Sequence, residues 1–205
     1  MTSPLDYFDS ISTFGPSAAI LGLVLAADLA FTGVHVWQEW KGERWPLWRV
    51  FGAIVGLRLP DGFGFAVFTV TLALVLGALG LMAYAGWLPL IGMVPPWLAI
   101  GSLGAVLGAR IADSCVSHWA LWLLRYRPNP GLSSTVLYAV EALVIIVAFR
   151  KGFAVDPTAA GWGFAIGAGS FIAVIPGLAL VRMFAKSRQR EPWTRGKPIP
   201  AWADT

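Results

Sequence analysis

Charge is what this chain has least of. Only 13% of its 205 residues are Asp, Glu, Lys or Arg, against roughly 25% in soluble domains. Hydrophobic residues make up 57%, and mean hydropathy is +0.69. Half the usual charge over a whole chain implies surroundings that are mostly lipid. Cysteine is nearly absent too: Cys115 stands alone, so no intrachain disulfide can form. The chain lacks a Walker loop, a dinucleotide fingerprint, a Cys-x-x-Cys pair and a His-Glu-x-x-His helix. Ser117 adjoins His118, but neighbours on a helix point about 100° apart, which leaves no convincing Ser–His–Asp set. No internal repeat is evident. No basic, aromatic-interleaved domain exists to hold nucleic acid. The excess of 15 Lys and Arg over 11 Asp and Glu instead suits cationic loops facing anionic headgroups. The opening MTSPLDYFDS carries Asp6 and Asp9 but no basic residue. It lacks the positive region of a secretory signal, so the first apolar segment is expected to be retained.

What the chain does have is long apolar runs. Segments of about Pro16–Glu39, Gly62–Gly86, Trp97–Leu124, Leu132–Phe149 and Ala159–Ala185 each reach the roughly 17 residues that a helix needs to cross hydrocarbon. The expected fold class is all-α, a polytopic membrane helix bundle with about five transmembrane helices. Residues 1–185 would form one transmembrane domain. Residues 186–205 would form a basic, proline-containing cytoplasmic tail, expected as a solvated extension. Between the first two segments, Leu47–Leu59 is short, with Arg49 and Arg58 near its ends, and suits an interfacial or re-entrant helix. In the fifth segment Gly163 and Gly167 make a Gly-x-x-x-Gly pair suited to close helix packing, and Pro176 predicts a kink.

Lys and Arg placement sets an orientation. Lys41, Arg44, Arg49 and Arg58, then Arg125 and Arg127, then Arg182 and the tail lie on one side. Only Arg150, Lys151 and the acidic N-terminus lie on the other. Basic loops stay in the cytoplasm, so the N-terminus is expected outside and the C-terminus inside. Trp37, Trp40, Trp45, Trp48, Trp119 and Trp122 would mark the cytoplasmic interface, and Trp87, Trp97 and Trp162 the other.

Against this apolar background the ionisable residues within the segments stand out, because charge at membrane depth is costly and marks a site or pathway. The first segment has Asp28, His35 and Glu39 on one face. The third has Arg110, Asp113, Ser114, Ser117 and His118 in one stripe. The fourth has Ser133, Ser134, Thr135, Tyr138 and Glu141, with Thr135, Tyr138 and Glu141 three apart. At 1.5 Å per residue these fall at two depths: His35, Glu39 and His118 nearer the cytoplasm, and Asp28, Arg110, Asp113 and Glu141 deeper. Two histidines with nearby carboxylates suit zinc, iron or manganese. His35 and Glu39, one helical turn apart, would bind from one helix, and His118 with Asp113 or Glu141 would complete the site. Asp28, Arg110, Asp113 and Glu141 form the alternative, a structural network of buried charge. A proton or ion path is a further alternative, and a pigment or haem on His35 or His118 is another.

These residues resemble the bacterial integral membrane family named for its HXXEE motif. His35-Val36-Trp37-Gln38-Glu39 matches its first element, with Gln38 where the family has an acid. His118 stands for its second histidine. The stretch from Tyr126 through Arg127, Pro128, Asn129 and Pro130 to Gly131 resembles its Tyr-x-Pro-Gly element, two residues longer. The resemblance implies a bacterial inner-membrane protein in which His35, Glu39 and His118 act as a set, and it implies no particular reaction. Pro128, Pro130 and Gly131 also suit a plain helix stop and tight turn. Two functions follow as expectations: a metal-dependent membrane enzyme acting on a lipid-like substrate, or a non-enzymatic accessory subunit among other membrane subunits.

Overall fold

The computed structural model describes residues 18–39, 47–60, 96–127, 129, 131–200 and 202. The expected second span, Gly62–Gly86, lies outside them, as do Lys41, Arg44, Pro128 and Pro130. The described residues are helical apart from turns, short connections, the irregular stretch 189–200 and one isolated backbone bridge.

Helix α1 (Ala18–Trp37) ends in a widened, π-helical turn at Gln38 and Glu39. Helix α2 (Leu47–Val55) is short and amphipathic. Helix α3 (Pro96–Ala112) runs straight on into a π-helical stretch, Asp113–Ala120, and a last α turn, Leu121–Leu123. A 3-10 turn, Leu132–Ser134, leads into α4 (Thr135–Ala148). Then come α5 (Arg150–Val155), α6 (Pro157–Ile172) and α7 (Val174–Phe184). Asp156 caps α6 by accepting from the Ala159 N–H at 2.8 Å, with Pro157 at the first helical position, where its missing N–H costs nothing.

The expected fifth segment is thus two helices, bent by 44°. The break falls at Ala173, before Pro176 rather than at it. A proline ring collides with the carbonyl four residues earlier, here Ile172, which is where α6 stops. Among the described residues no single helix is long and apolar enough to cross a membrane, whereas α6 and α7 taken together are.

Helices α3 and α6 pack backbone to backbone. A methyl group at Gly163 or Gly167 would overlap the Gly101 or Ala105 backbone, and one at Gly104 or Gly108 would overlap α6 in turn. The glycine pair expected to serve packing therefore does so, against a matching run of small residues on α3. Apolar residues are exposed on one face of α4, while several ionisable residues are buried. Val136, Val140, Leu143 and Val147 on one face of α4 are between 51% and 62% exposed. Asp28, Arg110, His118 and Glu141 are buried.

A second core departs from expectation. Val50, Phe51, Ala53 and Val55 of α2 are buried together with Leu121, Leu178 of α7 and Trp193 of the tail. The segment 186–200 is no free extension, because its backbone docks on the end of α2. The Arg190 N–H donates to Gly56 O at 2.8 Å and the Trp193 N–H to Ala53 O at 2.8 Å, while the Arg58 N–H donates to Arg188 O at 3.2 Å. Burial of the Trp193 ring drives the docking, since an indole gives a large apolar area to an otherwise polar segment.

Candidate metal centre

Two helices and one turn converge on the two histidines. His35 comes from the last turn of α1. Asp113 and His118 come from the π-helical stretch. In an α-helix, steps of about 100° leave residues i and i+5 about 140° apart, at opposite edges of a stripe. A π-helix hydrogen-bonds i to i+5 and so brings such residues onto one side. This is why Asp113 faces His118 here. The two imidazole rings meet edge to face, with centroids 4.8 Å apart, and Tyr138 of α4 lies 5.0 Å from the His35 ring.

Hydrogen bonds behind the rings fix which nitrogen is free. The Ser134 hydroxyl donates its proton to Gly131 O at 2.8 Å. It can therefore only accept from His35 Nδ1, at 2.7 Å. The Asn129 amide nitrogen donates to the carbonyls of Ser117 and His118, at 3.3 and 2.9 Å. That turns its Oδ1 toward His118 Nδ1, at 2.8 Å. With a proton on Nδ1, each ring turns its Nε2 toward one small space.

Two carboxylates face the same space. Glu39 Oε1 lies 3.5 Å from His35 Nε2 and 3.9 Å from His118 Nε2. Asp113 Oδ2 lies 3.6 Å from His35 Nε2, and its Oδ1 lies 3.9 Å from His118 Nε2. His118 Nε2 and Glu39 Oε1 are fully buried with no hydrogen-bond partner among the described residues. Buried lone pairs aimed at one another are costly unless a cation lies between them. His35, Asp113 and His118 form a buried group whose ligand atoms lie within 4.8 Å of one another and could hold a metal ion. Glu39 reaches both rings from the side. Gly131, with φ of +79°, lies against both: a Cβ there would meet the His35 and His118 Cε1 atoms at 2.6 and 2.9 Å. Only glycine serves at this point, for its backbone angle and for its lack of a side chain.

The deeper level is a separate network. Arg110 Nη2 donates to Asp28 Oδ1 at 2.5 Å and to Thr32 Oγ1 at 2.7 Å. Its guanidinium lies over the Tyr138 ring, 4.4 Å from the centroid. Glu141 sits beside Asp28 and Arg110, with neither carboxylate oxygen hydrogen-bonded among the described residues.

Glu141, expected in either set, sits with Asp28 and Arg110. Asp113, also expected in either set, groups with the two histidines. Gln38, at the place where an acid was sought, does not face the centre, since its Oε1 accepts from Ser133 Oγ at 3.2 Å. Ser134 lies among the polar residues singled out in the fourth segment and Asn129 in the stretch from Tyr126 to Gly131, but their roles behind the rings, like that of Thr32 beside Arg110, had no sign in the sequence. No protein-family model, curated protein or solved structure matches this chain.

Proposed function

We propose that this chain is a polytopic protein of a bacterial inner membrane whose helices α1 and α3 hold a divalent transition-metal ion. The observation that carries the proposal is the convergence of two Nε2 atoms and two carboxylates, with both tautomers held from behind by Ser134 and Asn129. Mixed imidazole and carboxylate donors without thiolate suit zinc, iron or manganese. Support for the membrane setting comes from the apolar segments, the scarcity of charge and the outward apolar face of α4. The Lys and Arg pattern supports an outside N-terminus and a cytoplasmic C-terminus.

The ion serves catalysis on a lipid-like substrate near the cytoplasmic leaflet. Support comes from the π-helical stretch: such turns are poor for stability and recur at functional sites, and this one aligns two ligands. A bound ion would supply Lewis acidity or activate water or oxygen. The protein's own part is to fix both rings, exclude bulk water and neutralise the ion with Glu39 and Asp113.

Elemental analysis of purified protein tests the centre. Wild type should retain a near-stoichiometric transition metal, and His118→Ala and Asp113→Ala should each lose most of it while keeping their helix content. Equal metal in all three, or none in any after reconstitution, rejects the proposal.

A further inference from the structure

Away from the histidines lies a second polar feature that the metal centre does not use. A cleft of about 620 Å³ is lined by Arg125, Arg127, Gly196, Lys197 and Pro198. Its walls carry three cations and no acid. None of the three cations has a carboxylate partner among the described residues. We propose that this cleft, built jointly by the turn after α3 and the docked tail, binds a phosphate-bearing anion.

The cations are held in place. Arg127 lies over the Trp122 ring at 4.7 Å from its centroid, a cation–π contact that restrains its head. Lys197 comes from a distant part of the chain and is set by Trp193, whose indole N–H donates to Lys197 O at 3.0 Å. Trp193 in turn packs edge-on against Tyr126, with ring centroids 4.9 Å apart. Tail and turn are therefore fixed to each other by the two aromatic rings.

Arg125 provides an independent observation. The Tyr126 N–H donates to Leu121 O and the Arg125 N–H to Trp122 O, both at 3.0 Å. This is a Schellman closure with Arg125 at the left-handed position, at φ of +67°. That position favours glycine. The same closure ends α2, where the Leu57 N–H donates to Gly52 O and the Gly56 N–H to Ala53 O, and there the chain does use glycine, Gly56 at φ of +71°. An arginine kept in a glycine conformation at the rim of a cationic cleft fits the pattern of strain retained for function.

Guanidinium groups pair bidentately with phosphate oxygens, and three cations around one opening favour a multiply charged oxyanion. The phosphate could belong to a lipid headgroup or to a free phosphate. The cleft does not depend on metal being bound at His35 and His118.

The full chain in neutral detergent would be tested against phosphatidylglycerol and a phosphate-free glycolipid by native mass spectrometry, and against inorganic phosphate by phosphorus NMR line broadening. Phosphatidylglycerol or inorganic phosphate should bind. Arg127→Gln and Lys197→Gln should each weaken that binding about tenfold, as expected for one charge-assisted contact. Arg125→Gly should weaken it similarly while raising the melting temperature, so lost binding cannot be ascribed to misfolding. Binding of the lipid alone assigns a headgroup site, and binding of phosphate assigns a site for the free anion. Binding by neither, equal binding by wild type and all three variants, or equal retention of the glycolipid overturns the proposal.

Discussion

Asn129 does two jobs at once. Its amide nitrogen ties back to the carbonyls of the π-helical stretch, and its oxygen sets the His118 tautomer. Asn129→Ala should lower metal affinity by about 10–100-fold, the usual cost of losing a group behind a metal ligand. Competition with a chromogenic chelator would measure it, and circular dichroism should show unchanged helix. Among the described residues Arg110 is the cation that faces two buried carboxylates, Asp28 and Glu141. Arg110→Ala should destabilise by about 3–5 kcal/mol, the range for stranding a buried partner. Adding Asp28→Ala should recover part of that loss, and denaturant unfolding in detergent would show the coupling. The histidines and Glu39 were legible in the sequence because charge inside apolar segments is rare and their spacing put them on one face. Asn129 and Ser134 were not, because small polar residues near prolines and glycine are ordinary turn formers. Their role exists only once the turn folds over the rings.

Among the elements, the helical segments 18–39, 96–123 and Leu132–Ala148 were legible within two residues, since apolar length is a strong marker. The fifth segment, which the structure breaks in two, was half legible: Pro176 announced a bend, but its collision acts four residues back, so the break sits at Ala173. The π-helical stretch was not legible, because a sequence carries no distinct period for one wide stretch inside an otherwise regular helix. Asp113 and His118 both lie in it. The α3–α6 contact can be tested by steric addition. Gly167→Val should destabilise by about 1–3 kcal/mol or more through overpacking. Gly169→Ala, where nothing lies within 4 Å of the added carbon, should be neutral or mildly stabilising. Thermal melts of both variants in one detergent give the comparison.

Among the described residues two clusters stand out at the scale of the molecule, the buried polar cluster between α1, the continuation of α3 and α4 and the apolar cluster that clamps the tail onto α2. Composition foretold the first and hid the second, because a basic tail with prolines has the makeup of a free end, and one tryptophan reverses that. The two should fail independently. Trp193→Ala should release residues 186–200 to trypsin, seen as faster cleavage after Arg188 and Arg190, while metal content stays at the wild-type level. Loss of metal together with the tail would show that the clusters are coupled.

The widened stretch Asp113–Ala120 also has a meaning in chain length. A π-helix winds more residues into each turn than an α-helix does, so α3 carries slack that a plain helix of the same reach would not need. Without an ion to hold, that slack has no use. A homologous chain lacking the histidines would be free to drop a position between Arg110 and Leu121, leaving a single gap beside the lost ligands.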